Sequence, residues 1–177
     1  MSDSQTPQFE TDAEFLQLIQ PRDEKYVEEL EEDIFDHGCH EAICVWGSIL
    51  IDGHLRYSIC RKWDIRFNIR RLFFQSRDEA EAYICTEQLK RNDLTSEYKK
   101  YLIGRRFRAD MNIASADFLK NHPEKQLNAD GQISQKYVQK TEIATIIGKE
   151  YNFGFPRLQN TMYTQEHSMS SASKDRK

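Results

Sequence analysis

The sequence predicts an α+β fold: a short mixed sheet with a β-hairpin and helices, followed by an all-helical segment. Three observations predict it. An apolar run at 42–46 (AICVW), the turn Gly47-Ser48 and a second run at 49–51 form a hairpin pattern. Tyr26, Val27, Leu30, Ile34 and Phe35 recur three and four apart, as on one face of a helix. Beyond Ser76 every apolar pattern has helical spacing.

Taken in order, residues 1–12 are polar and predict a disordered tail. Phe15-Leu16-Gln17-Leu18-Ile19 predicts a short strand, ended by Gln20-Pro21. A helix starts near Asp23 and stops at Gly38, with His37 in its last turn. The hairpin over 42–51 ends at Asp52-Gly53. Leu55, Ile59, Cys60 and Trp63 predict the next helix, and 65–74 alternates as a strand. Ser76 and Glu79 form a capping box for a helix that runs through Ala80, Tyr83 and Ile84 toward Leu89. Thr95 caps a further helix that carries Tyr98, Tyr101, Leu102, Ile103 and Phe107. The α+β domain is expected over 13–110, a linker or weak helix over 111–133, and a helical segment over 134–167. The low-complexity end at 168–177 predicts a flexible tail.

Composition narrows the class. The 177 residues are 38% hydrophobic and 31% charged, as in a globular protein with polar tails. No apolar run reaches the roughly eighteen residues of a membrane helix, and the polar start is no export signal. Cys39, Cys44, Cys60 and Cys85 show no paired spacing, so reduced thiols and a cytoplasmic location are expected. The net charge of −4 hides an asymmetry. Residues 1–50 hold 13 acids and 2 bases, a net of −11, which leaves +7 for the remainder. Two stretches, 56–71 and 90–108, concentrate the bases and are compatible with a face that meets phosphate.

The turn IDGHLRY, 51–57, carries the sharpest chemical signal. It leaves a buried strand and opens a helix, where unpaired N–H groups and the helix dipole favour anions. Gly53 permits close backbone approach, and Arg56 can clamp a phosphate bidentately. A plain hairpin exit shares this spacing. In EQLKRNDLTSEY, 87–98, Glu87 and Arg91 lie four apart. That is the spacing of an ordinary ion pair, or of a carboxylate holding a divalent metal on a phosphate beside a neutralising arginine. His37, Cys39 and His40 crowd into four residues, which suits a turn rather than a zinc site.

In this order the helix PRDEKYVEELEEDIFDHG, the hairpin, the GHLRY turn and the EQLKRNDLT segment resemble the ParB/sulfiredoxin-like N-terminal domain, over roughly residues 15–107. In the partition-protein branch the turn reads Gly-Glu-Arg-Arg plus an aromatic residue and binds nucleotide phosphates, those of CTP in the best-studied members. A later Glu-Asn-x-x-Arg holds the triphosphate and magnesium. Gly53, Arg56, Tyr57, Glu87 and Arg91 match; His54, Leu55, Ser58 and Gln88 depart. The turn resembles more closely the Asp-Gly-His-x-Arg of ParB-like proteins of mobile elements. The resemblance implies a nucleotide site at Gly53, His54, Arg56, Tyr57, Glu87, Gln88 and Arg91, with Mg at Glu87 and CTP or another NTP as ligand. Sulfiredoxin places a catalytic cysteine at this turn, and this chain has none there, so its mechanism does not transfer.

A last constellation lies in IGKEYNFGFPRLQNTMY, 147–163. Gly148, Asn152 and Leu158 have the spacing of a helix-turn-helix, where a small residue, a left-handed turn and a core aliphatic are needed in that order. Pro156 suits the first turn of the second helix. Arg157, Gln159 and Asn160 then face outward as DNA-reading side chains, with Lys99, Lys100, Arg105 and Arg106 as phosphate contacts. An ordinary helical hairpin shares this core logic; the position after a ParB-like domain favours the DNA-binding one.

The expectation is a bacterial or mobile-element ParB-like protein for plasmid partition or transcriptional regulation. Its expected partners are double-stranded DNA, a nucleotide and a second copy as a homodimer, with no membrane. Two alternatives stand beside it. One is a metal-dependent nuclease or NTP hydrolase at the same turn, in which Asp52 and Glu87 would share the metal. The other is a non-catalytic interaction module whose acidic helix meets a basic partner.

Overall fold

The computed structural model describes residues 7–121 and the single position 149. The chain divides into two compact units at Gln75/Ser76. Among the described residues, no helix is long and apolar enough to cross a membrane.

The first unit contains α1 (Ala13–Leu16), α2 (Glu24–His37), β1 (Ile43–Trp46), β2 (Ile49–Asp52), α3 (His54–Trp63) and β3 (Ile69–Arg71). The sheet order is β2-β1-β3. β2 runs antiparallel to β1, with Val45 opposite Leu50 and an irregularity between Cys44 and Val45. β3 runs parallel to β1, with Ile43 opposite Ile69. β1 is therefore central, and Ile43, Cys44 and Val45 are all buried, as expected for a strand covered on both faces. At the free edge of β2, Glu10 exchanges backbone hydrogen bonds with Ser48 and Leu50.

Two segments differ from the expected strands. The segment expected as a strand at 15–19 begins as helix α1. Asp12 accepts hydrogen bonds from the N–H groups of Glu14 and Phe15, at 3.0 and 3.1 Å, and so caps a helical turn. Phe15 and Leu18, three apart, are buried while Leu16 is exposed; a strand would bury alternate residues instead. The strand expected over 65–74 is paired only at Ile69–Arg71. Its alternation is real, since Ile65, Phe67 and Ile69 all pack on the core. β1 is four residues long, however, and its ladder to β3 spans only from Ile43 N to Leu72 N.

The remaining elements follow their local signals. Asp23 caps α2 by accepting from Tyr26 N–H at 2.7 Å, and Gly38 ends it at φ 85°. Ile34, Cys39, Ile43, Val45, Leu50, Ile59 and Cys60 form the core that α2, the sheet and α3 share.

The second unit contains α4 (Arg77–Leu89) and α5 (Ser96–Asn121), packed on each other. Ser76 accepts from Glu79 N–H at 3.2 Å and Thr95 from Tyr98 N–H at 3.1 Å, so both helices start at their expected caps. Ala80, Ile84, Cys85 and Leu89 of α4 are buried, as are Leu102, Ile103, Phe107 and Ala109 of α5. α5 runs unbroken across residue 110 to Asn121. The domain segments expected beyond it lie outside the described residues.

Gly53 has φ 87°, and a Cβ there would stand 3.1 Å from Ile43 Cδ1 and 3.2 Å from Arg56 Nη2. Gly47 has φ 60° with open space around it. Gly53→Ala should therefore cost more than Gly47→Ala, which pays only the left-handed backbone at about 1–2 kcal/mol. Urea unfolding of the two variants measures the difference.

Candidate functional site

The turn after β2 is built by one backbone reversal. Gly53 adopts the left-handed conformation, and α3 begins at the next residue. Asp12, Asp23, Ser76 and Thr95 cap the other helices with side-chain oxygens. No side chain caps α3. The free N–H groups of its first turn thus carry the positive end of the helix dipole.

Arg56 folds back over this turn. Its guanidinium lies so close to Gly53 that a Cβ at that position would sit 3.4 Å from Nε as well. Nη1 donates to Glu41, and Nη2 donates to Asp52 at 3.4 Å. Nε is enclosed without a hydrogen bond. The arginine side chain is 21% exposed, while Glu41 is 75% exposed. One cation is therefore held between two carboxylates, and the outer one is free to swing into water. An anion that approaches Arg56 competes with Glu41 before it meets the guanidinium. Sequence reasoning missed Glu41, because fifteen residues separate it from Arg56 and no local spacing joins them.

His54 is the first residue of α3. Both ring nitrogens are enclosed and make no hydrogen bond. Burial lowers its pKa below 6.5, opposed by the nearby Asp52 carboxylate. Tyr57 is half-buried against the core: its hydroxyl accepts from Phe9 N–H at 2.9 Å, and its ring packs against Phe9 and Phe67. Its visible role is to tie the N-terminal segment to α3.

The other expected residues belong to the second unit and are described within it. Glu87 pairs with Lys90 at 2.6 Å. Gln88 is buried and accepts from Arg91 Nη1 at 2.8 Å. Arg91 also donates from Nε and Nη2 to Asp93, at 3.0 and 2.7 Å. These bonds knit the loop between α4 and α5. Lys99 and Lys100 are exposed, with Lys100 3.9 Å from Glu97. Arg106 is 17% exposed and lies 3.5 Å from Asp110.

Arg105 is not at the surface. Expected to meet phosphate, it is 5% exposed and grips Glu81 with Nε at 2.6 Å and Nη2 at 2.9 Å. Burial works against its charge, but Glu81 and the Tyr101 hydroxyl raise its pKa above the ordinary value. Local spacing did not mark Arg105 as buried, because its partner Glu81 lies 24 residues away on α4. Arg157, Gln159 and Asn160, with the spacing residues Gly148, Asn152 and Leu158, lie outside the described residues.

No family model matches the sequence, and no curated protein matches it. Among solved structures, a pNOB8-like ParB N-domain matches with a TM-score of 0.58 at 18% identity. The match covers 89% of this chain and 61% of that one. The C2221 form of a pNOB8-like ParB-N domain gives 0.57 at 22% identity, covering 81% of this chain and 59% of that one. The chain has the fold of a ParB N-terminal domain. The chain spans about three fifths of the length of the solved chains that it matches.

Two outcomes follow. In the unfolded chain His54 titrates near 6.5, and in the folded unit lower. Below 6.5 the unfolded state takes up the proton first, so stability falls with pH through that value toward the folded pKa. Thermal melts between about pH 7.5 and 5.5 should show a shallower decline for His54→Gln than for the parent. Arg105→Ala removes both short bonds to Glu81 and leaves it the longer contact to Arg108 at 3.8 Å; it should cost about 3 kcal/mol in denaturant unfolding, while Lys99→Ala should stay within about 0.5 kcal/mol.

Proposed function

We propose that this chain is a ParB-like DNA-binding protein in which the turn at 53–56 takes the phosphates of a nucleotide. The observation that carries the reading is the uncapped N-terminus of α3 with the Arg56 guanidinium laid over Gly53. Free N–H donors, a positive helix end and a bidentate cation are what a phosphate group requires. The ParB-like fold supports the reading, as does the match of Gly53, Arg56, Tyr57, Glu87 and Arg91 to the ParB motif. CTP or another NTP with Mg is the proposed ligand of the turn. Lys99, Lys100 and Arg106 are the proposed contacts to the DNA backbone, and Arg157, Gln159 and Asn160 the proposed contacts to base edges.

The ion pair with Glu41 sets a condition on binding. A phosphate at Arg56 replaces the Glu41 carboxylate, so Glu41→Gln should tighten nucleotide binding. Arg56→Ala should weaken it about tenfold or more, since a charge-assisted contact contributes roughly 1.5–3 kcal/mol. Calorimetry with CTP, ATP, GTP and UTP plus Mg reads both. Absence of heat with every nucleotide would remove the nucleotide claim.

DNA binding has its own test. A shift assay on genomic fragments should give an affinity that falls steeply with salt. Gln159→Ala or Asn160→Ala should relax sequence preference by roughly 1–3 kcal/mol. Lys99→Ala or Lys100→Ala should weaken all sequences alike and flatten the salt slope. The opposite pattern would move base reading away from 157–160.

A further inference from the structure

The outer face of α2 carries a groove that the nucleotide and DNA reading does not use. It measures about 650 Å³ and is lined by Glu28, Glu31, Glu32, Phe35, Asp36 and Trp63. Phe35 is 61% exposed and Trp63 46% exposed, with their rings edge to face at 5.4 Å. A pair of large aromatic side chains left in water is a contact surface in waiting.

The charges around that pair are unbalanced. α2 holds seven acidic residues and one lysine. Glu28, Glu32 and Asp36 stand four apart in a line, and none has a hydrogen-bond or ion-pair partner among the described residues. Like charges at this spacing repel and weaken a helix. The ridge therefore costs the unit stability unless a cation meets it.

The chain itself shows how a cation is held here. Lys62 Nζ lies 4.9 Å from the centre of the Trp63 ring and donates to Glu31. Trp63 Nε1 donates to the same carboxylate at 2.6 Å. These bonds hold the Glu31 pKa below the usual range, through Lys62 first and Trp63 second. One lysine is thus already seated between a carboxylate and an indole, with the next three carboxylates vacant beside it.

We infer that this groove docks a lysine- and arginine-bearing segment of a partner protein. The carboxylates take the cationic heads, and the long methylene stems cover Phe35 and Trp63. Nucleic acid is excluded by the sign of the charge. A small polyamine satisfies the acids but leaves the rings in water, so a polypeptide is the better match.

The full chain is titrated into a fluorescein-labelled twelve-residue peptide of lysine, leucine and alanine, and anisotropy is followed. The lysine peptide should bind, and its glutamate counterpart should not. Glu28→Gln with Glu32→Gln should weaken binding about tenfold, and Phe35→Ala about fivefold. Glu24→Gln with Glu29→Gln removes the same charge from the same helix outside the groove and should change affinity by less than about twofold. All these side chains are exposed, and far-UV circular dichroism checks that each variant folds. Equal loss from the two double variants would overturn the site, because attraction would then be diffuse. Spermine competing as well as the peptide, charge for charge, would overturn the polypeptide partner, and so would a lysine peptide that fails to bind.

Discussion

The first unit depends on the contact between Ile43 and the backbone of Gly53. Ile43 is fully buried at the centre of the sheet and pairs with β3 on one side. Its Cδ1 comes so close to Gly53 that any side chain there would be met at 3.1 Å. That approach lets α3 start directly from the end of β2, with no connecting loop. A helix launched this abruptly has no residue to spare for a cap, and its first N–H groups stay free. The packing need of one isoleucine thereby creates the feature on which the anion proposal rests.

Arginine is used in two ways, and geometry separates them. Arg105 and Arg91 are spent on structure. Arg105 is closed in with Glu81, and Arg91 is divided between Gln88 and Asp93. Removing Arg105 leaves Glu81 with the longer contact to Arg108 at 3.8 Å, and removing Arg91 takes a bond from the buried Gln88. Arg56 is different, because one of its two carboxylates is largely in water and can be replaced without stranding a buried charge. A ligand anion can therefore compete for Arg56 at little structural cost.

The acids divide in a similar manner. Asp12 and Asp23 cap helices, and Glu81 neutralises a buried arginine. Glu28, Glu32 and Asp36 serve no such purpose within the described residues. The charge asymmetry of the first fifty residues thus resolves into acids that hold the fold and acids that face outward beside exposed rings.

The sequence by itself determined the α+β class, the hairpin, the extents of α2 and α3 and the caps at Ser76 and Thr95. Each depends on residues within a few positions of one another: apolar periodicity, a glycine stop, a hydroxyl three residues before an N–H. It also drew attention to Gly53 and Arg56, since a glycine between a strand and a helix is a local signal. It misjudged 15–19, where a short apolar run carries no period and Asp12 settled the matter. Only the tertiary structure decided the length of β3, because a strand can pair no further than its neighbour extends. Only tertiary structure gave Arg56 its partner Glu41, turned Tyr57 inward to Phe9 and Phe67, and buried Arg105 while leaving Lys99 and Lys100 in water. Those outcomes depend on which face of an element meets another element, and residue spacing along one chain segment carries no record of what lies across from it.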